Sequence, residues 1–509
     1  MSSTRVVARN VLCNWAGMAA HMLTGFVLAP FLVRHLGVER YGLWILVSSL
    51  TGYFALLDLG VGAAVGRNVA YRRAQGDAEG VNAILSTALV LLSAVAVLTL
   101  LGTAGVIAAF PYLFSVPPDQ AGAVPLALFI VGLNLAVTFP SYVFDGTLWA
   151  LQRFDLLNAV AIPVQAARVG LTFYLVPRGG GLVALALIIF GTTLAGIAVK
   201  AVICSRLEPR LWPRPRYVRR EAAQTLWGYG IWYFFLSMER PIAPQVLPAV
   251  ISSRLSGLGV AYVTPHNIAT RLVAYATSFL IASTQVLTPL ATALHAGRQH
   301  NQQQRLFLEG GKYCLALELF FFTLFVWLGQ AFIGLWIGHK LDYAWQLLVI
   351  LALGEVLPMS QWLSYSLVLG MGRHKVLAWL SIAETVVVLG LALALVRPFG
   401  LLGVCAAVAV PGAFFRGVCQ MVYACRLLKV PLRTYLASAF VPAILTAAGP
   451  AAALGLLTRW HEPETWAGLV AYTAAFGALY LALAGVGLIG VERIRLQGRE
   501  VLRGLLGAR

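Results

Sequence analysis

Ten ionisable side chains fall inside stretches of the sequence that are otherwise almost entirely apolar. Hydrophobic residues make up 60% of the 509-residue chain and charged residues only 11%. The ten are Asp58, Asp145, Arg168, Glu239, Arg240, Arg271, Glu318, Glu355, Glu384 and Arg416. Because a charge is costly to hold in an apolar segment, each of them is a candidate for a functional role.

Four arginines form the stronger group, because they fall toward the middle of their apolar stretches and both halves of the chain contribute. They are Arg168, Arg240, Arg271 and Arg416. A guanidinium stays charged, and its planar fork binds phosphate oxygens in pairs. We therefore predict that these arginines line a cationic cleft that binds a polyanionic substrate.

The same arginines could instead form salt bridges inside the protein. The pairs in question are Arg240 or Arg271 with Glu239, and Arg416 with Glu384 or Glu355. A guanidinium that is paired in this way is compensated and is not free to bind a substrate. The sequence leaves both interpretations open for each arginine.

Intramembrane carboxylates could bind a coupling proton or sodium ion, or take part in gating. The candidates are Asp58, Glu239, Glu355 and Glu384. Asp58 has a second interpretation, since within Leu57-Asp58-Leu59-Gly60 it could simply cap or pair near a helix end.

The apolar stretches that carry these residues are long enough to be transmembrane helices. About fourteen of them run from Asn10 to Gly490, and each can cross a hydrocarbon core of roughly 30 Å. The predicted spans are 10–33, 41–66, 82–110, 123–144, 156–176, 182–204, 225–250, 259–290, 313–337, 343–369, 376–396, 401–424, 437–457 and 466–490. The sequence thus predicts an all-α, polytopic membrane protein.

Basic residues concentrate in every second connection between the predicted spans. Examples are the connection with Arg67, Arg72 and Arg73, the segment 206–220 and the tail 493–509. By the positive-inside rule, these connections and both termini face the cytoplasm of a bacterial inner membrane. The net charge of +18 is then explained by loops beside anionic lipid, and no nucleic-acid partner is expected.

No catalytic or metal-binding pattern is visible in the sequence. The six cysteines are scattered without a CxxC pair, and no nucleophile elbow or phosphate-binding glycine loop occurs at a credible position. No connection between spans is longer than about thirty residues, so no soluble catalytic domain is appended. We expect no enzyme activity and no cofactor or metal, apart from the coupling ion considered above.

The first twelve spans look like two copies of one six-helix unit. Paired features, separated by about 220 residues, are Leu36-Gly37 with Leu258-Gly259, and Gly181-Leu182 with Gly400-Leu401. An even number of spans per copy gives parallel lobes with a cleft between them, as in alternating-access transporters. We predict an N-terminal lobe at 1–215, a C-terminal lobe at 216–430, and two extra spans with a basic cytoplasmic tail at 431–509.

Several short segments carry a resemblance to a known family. They are Pro-Phe-Leu-Val-Arg-His-Leu-Gly at Pro30–Gly37, Tyr41-Gly42-Leu43-Trp44, Leu56-Leu57-Asp58-Leu59-Gly60, Arg67-Asn68-Val69-Ala70 and, in the second half, Val260-Ala261-Tyr262 and Leu294-His295-Ala296-Gly297. Together they resemble the O-antigen and capsule flippases of the multidrug/oligosaccharidyl-lipid/polysaccharide (MOP) exporter superfamily. The resemblance covers roughly the first 430 residues of the chain and is most specific near the N-terminus.

The resemblance implies a two-lobed, MATE-like protein of the inner membrane with fourteen helices. Such a protein would move an undecaprenyl-diphosphate-linked oligosaccharide, a repeat unit of O-antigen, capsule or exopolysaccharide, to the periplasmic leaflet by alternating access. Polysaccharide polymerase and other assembly proteins are its expected partners. The family has no strict catalytic signature, so the resemblance assigns no active-site residue.

Three alternatives stay open at this point. A lipid II flippase would differ only in its substrate. A multidrug/cation antiporter of the same superfamily would favour carboxylates over arginines, and a membrane-embedded polysaccharide polymerase or ligase would be expected to have an enlarged extracytoplasmic loop. The excess of intramembrane arginine and the short loops favour the oligosaccharide flippase.

Overall fold

A computed structural model describes residues 3–114, 116–209, 211–237, 242–255, 259–284, 299–371 and 373–489. Every regular element within these ranges is a helix, which confirms the all-α prediction. Contacts between residues divide the chain into two compact units, Met1–Asn267 and Ile268–Arg509.

The first unit contains the helices that precede residue 268. They are α1 (Ser3–Leu36), α2 (Val38–Gly52), α3 (Val61–Ala74), α4 (Ala78–Leu113), α5 (Ala123–Ala150), α6 (Phe154–Leu175), α7 (Leu182–Leu207), α8 (Arg220–Ser237), α9 (Ile242–Arg254) and the start of α10 (Gly259–Thr284). Two apolar cores hold this unit together. One includes Val65, Leu85 and Phe139, and the other includes Leu46, Leu128 and Val260.

The second unit contains the rest of α10 and nine further helices. They are α11 (His300–Trp327), α12 (Gly329–Trp336), α13 (Tyr343–Ser360), α14 (Trp362–Gly370), α15 (His374–Gly412), α16 (Gln420–Leu427), α17 (Leu432–Tyr435), α18 (Val441–Trp460) and α19 (Trp466–Ala484). Short π-helical segments at Ala413–Cys419, Leu436–Phe440 and Gly485–Ile489 continue α15, α17 and α19. Helix α11 is central, since it packs against α13, α14, α18 and the second of these segments.

Nine helical segments of the described residues are long and apolar enough to cross a membrane. They are Ala78–Leu113, Ala123–Ala150, Phe154–Arg178, Leu182–Leu207, His300–Trp327, Tyr343–Ser360, Lys375–Leu427, Leu432–Trp460 and Trp466–Ala484. Large apolar side chains point outward from them, among them Leu101, Val386 and Leu481. An apolar exterior suits contact with lipid rather than water, so the chain is a multi-pass membrane protein.

The segment Lys375–Leu427 contains a reversal of chain direction. Gly400 has φ 58° and ψ −138°, outside the helical region. A Cβ atom on Gly403 would collide with the carbonyl oxygen of Leu395, although eight residues of straight helix would separate them by about 12 Å. The chain therefore turns back at Gly400, between the predicted spans 376–396 and 401–424.

The predicted second span, 41–66, is interrupted in the structure. Helix α2 ends at Gly52, a 3-10 turn follows at Tyr53–Asp58, and α3 begins at Val61. Leu59 and Gly60 have φ values of 47° and 75°. Gly60 also lies so close to the backbone of Gly230 on α8 that a side chain would not fit. The total of fourteen spans and the lobe boundaries at 215 and 430 stay predictions.

Candidate functional site

Six of the eight predicted site residues lie in the part of the chain that the structure describes. Glu239 and Arg240 fall outside it. The six occupy three kinds of environment: a buried ion cluster in the second unit, isolated arginines in each unit, and a helix start in the first unit.

The buried ion cluster joins three helical segments of the second unit. Arg416 donates two hydrogen bonds to each of two carboxylates. Its Nη1 and Nη2 lie 3.0 and 2.8 Å from the oxygens of Glu355 on α13. Its Nε lies 2.8 and 3.1 Å from those of Glu384 on α15. The geometry thus directly supports the interpretation of Arg416 as a salt-bridge partner. The role of Arg416 in substrate binding stays a prediction that has no such support.

Local backbone features allow Arg416 to reach both carboxylates. It lies in the π-helical segment Ala413–Cys419, and such wide turns occur often at functional sites. A Cβ atom on Gly412 would lie 2.7 Å from Nη2 of Arg416. The glycine therefore leaves the space that the guanidinium fills.

A third carboxylate lies beside the cluster. Glu355 and Glu384 share the guanidinium of Arg416. Glu318 lies on α11, which packs against α13, and the charge of Glu355 acts on it. Glu318 is only 2% exposed, and its Oε2 has no hydrogen-bond partner among the described residues. An apolar interior strongly opposes an ionised carboxylate in such a place.

Arg168 is an isolated cation of the first unit. It lies on α6, and its Nε and Nη2 are 3.3 and 3.4 Å from the hydroxyls of Thr192 and Thr193 on α7. Among the described residues it has no carboxylate partner. Two neutral hydroxyls orient the guanidinium without compensating its charge.

Arg271 on α10 is an isolated cation of the second unit. Its side chain is partly buried, and it forms neither an ion pair nor a hydrogen bond with any other described residue. Within the described ranges, Arg168 and Arg271 thus both lack a carboxylate partner, which leaves their guanidinium groups suited to bind an anion.

Asp58 lies at the end of the 3-10 turn that precedes α3. Its Oδ1 accepts a hydrogen bond of 2.9 Å from the backbone N–H of Gly62 in the first turn of α3. A carboxylate in this place satisfies an N–H group that has no partner within the helix. The geometry supports the interpretation of Asp58 as a helix cap.

The structure also accounts for Asp145, another of the ten ionisable residues. Its Oδ1 lies 2.7 Å from Nζ of Lys200, which joins α5 to α7. This pair is compensated and lies outside the candidate site.

Sequence reasoning missed a buried polar network beside the ion cluster. Gln420 follows Arg416 by one helical turn, and its Nε2 donates to the Gln361 carbonyl at 2.9 Å and to the Ser364 hydroxyl at 3.1 Å. Gln361 in turn donates to the Tyr435 hydroxyl at 3.0 Å. All four side chains are buried. The available signal was the presence of amides in otherwise apolar spans, but neutral residues do not stand out as charged ones do.

Solved structures define the class of fold. The chain is 16% identical to an inward-facing multidrug resistance MATE family transporter of the MOP superfamily, with TM-score 0.64, over 81% of this chain and 99% of that one. It is also 16% identical to a MOP superfamily transporter from Pyrococcus furiosus whose binding pocket is described as having reverse polarity, with TM-score 0.57, over 84% and 96% of the two chains. The protein has a MATE-like fold.

The family follows from the sequence. A protein-family model described as polysaccharide biosynthesis protein matches residues 7–295, more than half of the chain. The protein therefore belongs to that family. It is also 25% identical over 157 residues to the uncharacterized membrane protein EpsK of Bacillus subtilis (strain 168). That match covers 30% of this chain and 31% of EpsK, about a third of the relative's length.

Proposed function

We propose that the protein is a flippase that moves a polyprenyl-diphosphate-linked oligosaccharide across the bacterial inner membrane by alternating access. The observation that carries the proposal is membership of a polysaccharide biosynthesis family in a chain with a MATE-like fold. In the proposed function, polysaccharide repeat units are assembled on lipid carriers at the cytoplasmic side of the membrane. A membrane protein of this family would then transfer them to the other leaflet.

The two arginines that lack a described carboxylate partner support an anionic substrate. A diphosphate offers several oxygens that a guanidinium can bind in pairs. Arg168 and Arg271 are the residues that we propose to contact it, since each lacks a carboxylate partner among the described residues. Arg240 belongs to the proposal on sequence grounds alone.

The ion cluster supports coupling of transport to an ion gradient. Glu355 and Glu384 share Arg416, and a change in the charge of this cluster would change the forces between α13 and α15. We propose that uptake of a proton or sodium ion at these carboxylates drives the conformational cycle. Glu239 is a further candidate from the sequence.

The proposed setting is that of the sequence predictions. Both termini face the cytoplasm, and the protein acts beside a polysaccharide polymerase and other assembly proteins. Transport, and not catalysis, is the proposed activity, and no cofactor other than a coupling ion is required.

A drug/cation antiporter and a lipid II flippase are the alternative functions. The MATE neighbours support the first only through the fold, since their identity to this chain is 16%. A cationic drug would need an accessible carboxylate, whereas Glu355 and Glu384 are occupied by Arg416. Lipid II also carries a diphosphate, so the substrate of this alternative differs from the proposed one only in its sugar.

A strain that lacks the protein tests the proposal. We expect complete oligosaccharide repeat units to accumulate on polyprenyl diphosphate, as measured by mass spectrometry of the lipid fraction, and surface polysaccharide to be lost on a gel. A plasmid copy of the gene should restore both. Unchanged lipid and surface pools, in a strain without a redundant transporter, would contradict the proposal, and accumulated lipid II would favour the alternative substrate.

A further inference from the structure

We infer that Glu318 carries an exchangeable proton at the buried ion cluster of the second unit. The inference deepens the proposed function by naming the coupling ion as a proton and by placing it on Glu318 instead of on Glu355 or Glu384, which Arg416 holds. It rests on that function only for the role of the proton in transport. Binding of the proton is a property of the protein alone.

The first argument is the isolation of Glu318. Its side chain is 2% exposed, and within the described part of the chain its Oε2 has no hydrogen-bond donor. Burial of an ionised carboxylate with no donor and no counter-ion is strongly unfavourable, whereas burial of the neutral acid costs far less free energy. Such a group therefore takes up a proton instead of staying ionised.

The second argument is the charge around it. Glu355 lies on α13, which packs against α11, and its charge acts on Glu318. Both oxygens of Glu355 already accept hydrogen bonds from Arg416. Arg416 also donates to Glu384, so it is already engaged with two carboxylates and donates no described hydrogen bond to Glu318. One proton on Glu318 removes the repulsion between Glu318 and Glu355.

In the described part of the chain, the other elements packed against α11 bring no counter-ion to Glu318. On α19, Tyr480 donates to the Ala316 carbonyl, and on α18, Arg459 lies over Trp327 near the end of α11. Tyr435, just before the π segment Leu436–Phe440, stacks on Phe307.

The remaining titratable groups nearby do not compensate Glu318 either. Tyr365 of α14 stacks on Trp362, and α12 carries no titratable side chain. On α11 itself, Cys314 lies one turn before Glu318, while Lys312 donates to the Leu488 carbonyl.

A proton fits the site better than a metal ion. Hard cations take several oxygen ligands at once, and the described residues contain no group of three or more His, Cys, Asp or Glu side chains able to hold a metal ion. The guanidinium of Arg416 would also repel a second cation. A proton needs only one oxygen: an O–H bond forms on Glu318, and on release the proton passes to water or to a neighbouring acceptor.

Infrared difference spectroscopy of the purified full-length protein, without substrate, tests the inference. A pH change between about 5 and about 9, the range in which buried carboxyls titrate, should change the C=O stretch of a protonated carboxylic acid. The Glu318→Gln variant should lose this band entirely and should still elute from size-exclusion chromatography as a folded protein. Glu318→Asp should restore a band at a shifted frequency, and sodium chloride should leave the wild-type band unchanged.

Glu309→Gln is the matched control, since Glu309 lies on the same helix in an exposed pair with Arg305. It should keep the band. Absence of the band from the wild type, its persistence in Glu318→Gln, or its removal by sodium would each overturn the inference. None of these results depends on whether the protein moves an oligosaccharide.

Discussion

Individual arginines of the membrane domain differ in what surrounds them, and the difference predicts different consequences of substitution. Arg416 is held by two carboxylates, whereas Arg168 has only threonine hydroxyls as its described partners. The first should serve the stability of the protein and the second the binding of an anion.

Replacement of Arg416 by Ala should destabilise the protein by about 3–5 kcal/mol, because Glu355 and Glu384 would both lose their buried ion pair with the guanidinium. Thermal unfolding in detergent measures this. Arg305→Ala, which breaks the exposed pair with Glu309, should cost less than about 1 kcal/mol. Equal losses in the free energy of unfolding would show that the buried cluster stabilises the protein no more than an exposed ion pair does.

Replacement of Arg168 or Arg271 by Ala should weaken binding of a diphosphate-linked substrate about 10- to 100-fold, since a hydrogen bond to a charged group contributes about 1.5–3 kcal/mol. The abundance of the protein in the membrane should not change. Arg178→Ala is the control, because Arg178 lies in the short turn after α6, is exposed, and stacks on Tyr174 of that helix. Normal export by both Arg168→Ala and Arg271→Ala would remove the cationic-site mechanism but not the family assignment.

Asp119, in the connection between α4 and α5, gives a prediction about pH. Hydrogen bonds from Gln120 and Arg40 hold the pKa of its carboxyl below the ordinary value. A depressed pKa contributes stability above the unfolded value of about 4 and loses it as the pH falls through the folded value. Asp119→Asn should therefore lower the unfolding temperature slightly at neutral pH and not at strongly acidic pH, and an effect confined to acid would contradict this.

At the scale of the helices, the interruption between α2 and α3 is where two backbones meet. Gly60 has φ 75°, and an added Cβ would collide with the backbone of Gly230. Gly76 has nearly the same φ of 74° but open space around it. A comparison of substitutions at Gly60 and Gly76 therefore distinguishes the cost of backbone strain from the cost of close packing.

Gly60→Ala should cost about 1–3 kcal/mol more than Gly76→Ala, because both substitutions strain the backbone and only the first also overpacks a helix contact. Unfolding of the two variants in detergent compares them directly. Equal losses would mean that α3 and α8 can separate at this point without cost.

The helices themselves were largely predictable from the sequence. The span predicted at 182–204 is α7, Leu182–Leu207, because apolar length along the chain decides where a membrane helix lies. The break at Tyr53–Gly60 within the predicted span 41–66 was missed. It depends on a close approach to Gly230, a residue far away in the sequence, and hydropathy contains no such information.

The candidate site was predictable as a list of residues but not as an arrangement. Both possible states of Arg416 were foreseen, and the choice between them depends on the space over Gly412 and on a π-helical turn. The importance of Glu318 was also hidden. It follows from the absence of a described donor around Oε2, which only three-dimensional packing can establish.

At the scale of the whole molecule, fold and family point to transport of a polysaccharide precursor. The family match covers 7–295, and the likeness to MATE transporters covers 81% of the chain. A direct test is translocation by the purified protein in vesicles. The vesicles would contain lipid-linked oligosaccharide extracted from the strain that lacks the protein, and a membrane-impermeant glycosidase would report the leaflet that holds it.

We predict that vesicles with the wild-type protein expose the oligosaccharide to the enzyme over time. Vesicles without protein should keep half of it protected, and Arg168→Ala and Arg271→Ala should stay close to that level. Exposure no faster with the wild-type protein than without it would contradict the proposal that this protein is an oligosaccharide flippase.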